Sequence, residues 1–76
     1  MRISQVKPLK DYFLLITTDD GRTGKFDLKP YLHYEAFETL NDVVEFNKII
    51  NGSYYVEWEC GADLSADTIE AHLVQA

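Results

Sequence analysis

Cysteine occurs once in this sequence, so no intrachain disulfide can form and no disulfide scaffold exists. Proline occurs twice and glycine four times, too few for a fibrous or low-complexity chain. Basic residues are scarce: seven Lys and Arg stand against thirteen Asp and Glu, a formal charge of −6. No apolar run approaches the roughly 18 residues of a membrane span, and the N-terminus lacks a signal peptide's apolar stretch. The expectation is a cytoplasmic protein with no membrane partner. A Gly-rich phosphate loop, a Ser-centred nucleophile elbow and a His-x-x-x-His spacing are all missing.

What is present is 76 residues, 46% hydrophobic and 26% charged, read as one globular domain spanning 1–76. A domain so short buries only about 60% of the surface that its unfolded chain exposes. Ten aromatic residues can supply the core, since each buries about 150–250 Å². The thin margin also makes a homo-oligomer a candidate arrangement. Charge is segregated. Residues 1–29 hold six basic and four acidic side chains, net +2, whereas residues 30–76 hold Lys48 alone against nine acids, net −8.

Arg2 to Lys7 reads as a first strand, which Pro8 ends, and Pro8 to Asp11 as a turn. Tyr12 to Thr18 is an apolar, β-branched run that predicts a buried strand. Asp20-Gly21 then signals a hairpin, with Thr23 to Leu28 as the return strand. From Tyr31 to Phe46 the period changes: Tyr34, Phe37, Leu40, Val43 and Val44 form a helical stripe, broken at Asn41-Asp42, with Asp42 capping the second piece. Lys48 to Ile50 reads as a short strand before an Asn51-Gly52 turn. Ser53 to Cys60 alternates, placing Tyr54, Val56, Trp58 and Cys60 inward and Tyr55, Glu57 and Glu59 outward. Ser65 caps a last helix that runs to about Val74, with Leu64 and Ile69 as a hydrophobic staple and Leu73 on the inner face. The predicted fold is α+β: an antiparallel three-stranded meander, a helical crossover, one or two further strands and a C-terminal helix.

Reactive groups are few. His33 and His72 lie far apart in metal-poor contexts, so no metal site is expected. The Asp19-Asp20-Gly21 run begins like a calcium loop but lacks the distal ligands. Cys60 is the single candidate nucleophile, and an inward thiol beside Trp58 is ordinarily inert. The lysines and Arg22 of the first hairpin are interleaved with acids, so no direct nucleic-acid contact is expected. The chain reads as a non-enzyme without a cofactor.

Two stretches taken together carry a resemblance. One is PLKDYFLLITTDDGRTGKFDLKPYL (Pro8 to Leu32) and the other WECGADLSADTI (Trp58 to Ile69), with Phe37, Leu40, Asp42 and Phe46 between them. The chain thus resembles the bacterial domain of unknown function family 2442 over nearly its full length. The resemblance implies a small α+β domain of a family with no established activity. Members are often short stand-alone proteins, sometimes joined to a helix-turn-helix segment, and often encoded beside another small protein. That context implies an antitoxin-like or regulatory accessory role. No helix-turn-helix fits in these residues.

Two functional readings follow. In the first, the acidic two-thirds meets a small basic partner protein, the product of a neighbouring gene, with Tyr31, Tyr34 and Tyr55 as anchors and Trp58, Asp63 and Ser65 rimming the contact. In the second, Cys60, Trp58 and His72 surround a small-molecule or enzymatic pocket. Nucleic-acid mimicry by the acidic segment rests on charge density alone. Asp27 and Asp63 also have a plain structural reading, as acceptors of backbone N–H bonds at turns.

Overall fold

A computed structural model describes residues 1–75. Two antiparallel sheets share one hydrophobic core. The first has the order β1-β2-β3-β7, from β1 (Ile3–Pro8), β2 (Phe13–Thr18), β3 (Thr23–Asp27) and β7 (Val74–Gln75). The second has the order β4-β5-β6, from β4 (Ile49–Asn51), β5 (Tyr55–Trp58) and β6 (Asp63–Ser65). Two short α-helices, α1 (Val43–Phe46) and α2 (Ala66–Ala71), complete the α+β fold.

The meander β1–β3 forms as the sequence predicts. Alternation buries Leu14, Ile16 and Thr18 of β2 and Gly24 and Phe26 of β3 on one face. Gly21 closes the hairpin with a φ of +88°, a conformation that costs glycine little. The link into β2 is less ordinary, because Asp11 and Tyr12 are both left-handed at φ +61° and +64°. Four bonds hold that strained pair: Leu9 N–H to Phe13 O, Leu28 N–H to Tyr12 O, the Lys29 ammonium to Asp11 O, and the Tyr12 hydroxyl to Asn41 O.

The crossover departs from expectation. Glu35–Asn41 is 3-10 helix, so Phe37 and Leu40 at i, i+3 eclipse and both are buried. Asp42 is extended and restarts the helical phase, its carboxylate accepting from Val44 N–H at 3.0 Å. That break rotates Val43 and Val44 out of the stripe, leaving them 57% and 64% exposed, while Phe46 enters the core. Tyr34 is exposed as well.

Alternation in β5 is shorter than the predicted Ser53 to Cys60. Ser53, at φ +75°, turns Tyr54 out to solvent, and the Trp58–Ala62 hairpin turn, with Gly61 at φ +99°, puts Cys60 on the exposed corner. That turn leads into β6, a strand the sequence reading omitted. The last helix also ends early. Leu73 packs over Gly24, where a Cβ would lie 2.5 Å from Leu73 Cγ, and Val74–Gln75 pairs with Lys25 and Gly24 as a further strand. Edge pairing to β3 replaces the final helical turn.

Candidate functional site

Strand register assembles the outer face of the second sheet. Ile50 lies opposite Glu57, Glu57 opposite Asp63, and Tyr55 opposite Ser65. Directly paired residues share a face, so Ile50, Glu57 and Asp63 form one row and Tyr55 and Ser65 the next. Ile50 is 51% and Tyr55 43% exposed. The Tyr55 ring lies against Gly52, in space that any side chain at position 52 would fill. Glu57 and Asp63 oppose one another with neither in an ion pair among the described residues. Like charges directly across a ladder are destabilising, so the sheet holds this pair against its own stability.

Three of the sequence-derived candidates, Tyr55, Asp63 and Ser65, therefore come together. Ser65 has a structural duty besides, since its hydroxyl accepts from Thr68 N–H at 3.1 Å and caps α2. Asp63 is extended in β6 and records no backbone bond at a turn, whereas Asp27 accepts from Lys29 N–H at 2.9 Å. Trp58 does not rim any surface. It is 2% exposed, on the inner face of β5, edge-on to Phe37 and stacked near Phe46. Tyr31 and Tyr34 sit elsewhere, in an aromatic group where Tyr31 is 5.7 Å from Phe37 and His33 is 4.4 Å from Tyr34. Ile50 and Glu57 are members of the face that the sequence reading missed. The signal was present, because a hairpin at Gly61 sets Glu57 against Asp63.

The structure does not gather a pocket at Cys60. Its thiol and His72 are both exposed, while Trp58 points into the core. Two shallow depressions, of about 180 and 210 Å³, lie elsewhere: one beside Arg22, Glu70 and Leu73, the other floored by Leu9, Tyr12, Val43 and Phe46. Among the described residues no three His, Cys, Asp or Glu side chains converge, and no helix is long and apolar enough to cross a membrane.

Two groups have shifted protonation. The Thr18 hydroxyl, which donates to Asp20, is the main cause that holds the Asp20 carboxyl below the usual carboxylate value; desolvation opposes it, and the Arg22 backbone N–H and guanidinium add to the lowering. The Glu45 carboxylate lies 2.8 Å from the Lys48 ammonium as an ion pair and, with Glu59 and Asp42, pushes that ammonium above the ordinary lysine value. The single lysine of residues 30–76 is thus already committed, which leaves the acid-rich half short of a cation of its own.

No curated protein and no solved structure matches the chain. The model of one family, "Protein of unknown function (DUF2442)", matches residues 3–75, nearly the whole sequence, and the chain belongs to that family.

Proposed function

We propose that this chain is a non-catalytic interaction module, antitoxin-like in its context, that binds a small basic partner protein in the cytoplasm. The observation that carries the reading is a coincidence of two surface properties. Among the described residues, six of the seven large exposed hydrophobic side chains fall between Tyr34 and Tyr55, within the same segment 30–76 that holds nine acids and one lysine. Exposed apolar groups supply contact area, and a surrounding field of one sign steers and orients an oppositely charged partner. The outer face of the second sheet combines both, with Ile50 and Tyr55 beside Glu57 and Asp63. Tyr31 and Tyr34 extend the aromatic surface.

Binding the purified product of the neighbouring gene by calorimetry tests this. Affinity should fall several-fold as salt rises from about 0.05 to 0.3 M, because exposed charge pairs are screened within about a Debye length. Glu57→Lys/Asp63→Lys should weaken the complex at least tenfold. A complex indifferent to both salt and that double substitution would overturn the reading, as would no complex at low salt.

A further inference from the structure

The outer faces of the two sheets point away from the shared core and carry opposite charge. On the first sheet, register places Lys7, Leu15, Lys25 and Val74 side by side across all four strands. Both lysines and Val74 are exposed and Leu15 is half-buried. Neither ammonium has an ion-pair partner among the described residues. On the second sheet the corresponding row is Ile50, Glu57 and Asp63, with Tyr55 beside it. Each face therefore presents two like charges next to apolar side chains, and the signs are complementary.

We propose that the first-sheet face docks the second-sheet face of another copy of this chain, head to tail, with Lys7 and Lys25 meeting Glu57 and Asp63. The proposal rests on the reading of the acidic face given above, because it uses that face.

Charge selects this occupant. Pairing either face with its own copy would set lysine against lysine or carboxylate against carboxylate. A polyanion fits poorly: Lys29 is engaged by Asp27 at 3.1 Å and by the Phe13 ring at 4.1 Å, which leaves Lys7 and Lys25 as the free cations of the face. Area sets the strength. Strands about 4.8 Å apart and about 3.4 Å per residue give the smaller, second-sheet face about 160 Å², well under the roughly 800 Å² per partner of a stable interface. The contact is accordingly weak and reversible. A basic partner that covers Glu57 and Asp63 displaces the second copy, so partner binding and self-association compete by mass action.

The test removes one face at a time. Lys7→Ala/Lys25→Ala keeps only the acidic face, and Glu57→Ala/Asp63→Ala only the basic one. Circular dichroism confirms that each variant folds. Sedimentation equilibrium up to about 1 mM, the range of a weak contact, should show the wild-type mass rising with concentration. Each variant alone should stay monomeric. Their equimolar mixture should form a one-to-one dimer and grow no further, since a single complementary pair of faces remains. A wild type monomeric throughout, variants that associate like the wild type, or a mixture that stays monomeric would each overturn the proposal. The lysine variant should also bind the basic partner within twofold of wild type. Intact partner binding with no self-association defeats this inference alone, whereas partner binding unaffected by loss of the acidic face defeats the interaction reading itself.

Discussion

The indole N–H of Trp58 donates to the backbone carbonyl of Phe46 at 2.9 Å, both residues lying in the core. The bond ties β5 to the end of α1 and satisfies a carbonyl that the short helix leaves free. Their rings stack with centroids 6.4 Å apart. Trp58→Phe removes the donor, strands the carbonyl and opens space, which together cost about 2 kcal/mol. For a domain of this size that lowers Tm by about 10 °C. A thermal melt followed by circular dichroism checks it, and an unchanged Tm would mean that the bond contributes nothing.

Gly24 and Leu73 give a prediction whose sign depends on background. Alanine at position 24 collides with the Leu73 side chain, so Gly24→Ala should destabilise by about 1 kcal/mol through overpacking. With Leu73→Ala already in place the collision is gone, and the same substitution should be neutral or stabilising, because alanine suits a strand better than glycine. Urea unfolding of the four proteins in the cycle decides it.

Asp20 sets an acid limit for the first hairpin. Its folded pKa lies below the ordinary carboxylate value, with the Thr18 hydroxyl as the main cause. A depressed carboxyl contributes stability that is fully present above its unfolded value and is lost as pH falls through the folded one. Asp20→Asn and Thr18→Val should each flatten the loss of stability below about pH 4 while leaving the slope near neutrality unchanged. Melting temperatures across that acid range give the comparison. Equal slopes in wild type and both variants would remove Asp20 from the account.

Ser65 belongs both to the outer face and to the start of α2. Ser65→Ala deletes the cap and should destabilise by about 1 kcal/mol, whereas Ser65→Asp should restore most of it. Partner affinity measured on Ser65→Asp then separates a contact made by the hydroxyl from the cap it provides. Loss of stability in the alanine variant with no recovery in the aspartate variant would contradict the capping role.

How much of this was legible from the residues follows the range of the interactions. Asp20-Gly21, Asp42 and Ser65 act within a few positions, so the hairpin and both caps could be read directly. The strand β7 depends on a glycine at position 24 meeting a leucine at 73, and nothing local to Val74 announces it. Trp58 was read correctly as inward from the alternation of β5, but its place at the rim of the contact was not, because its hydrogen-bond partner is a main-chain carbonyl that leaves no trace in a sequence. Val43 and Val44 were misplaced because a uniform 3.6-residue period was carried across Asp42, where the chain restarts its phase. Tyr55 was read as an anchor beside Tyr31 and Tyr34, and Asp63 and Ser65 as a rim with Trp58, so the sequence grouped them differently from the sheet. Their meeting on one face is a property of the β5–β6 register, together with the Ile50 and Glu57 that were missed.

Glu57 and Asp63 face one another across β5 and β6 without a cation between them, and this arrangement sets stability against binding. Glu57→Gln relieves the repulsion and should raise stability by about 0.5 kcal/mol, visible as a higher urea midpoint with an unchanged slope. Asp63→Asn should do the same, and the double variant should gain less than the sum, since either change alone removes the same unfavourable pair. Each stabilised variant should bind the basic partner more weakly, because the charge that strains the sheet is the charge that the partner neutralises. If both substitutions destabilise, the pair is held by something other than its place in the ladder. If they stabilise and leave affinity intact, the carboxylates are spectators and the partner docks elsewhere. Stability gained and affinity lost at the same two positions is the pattern of a surface kept for contact rather than for folding.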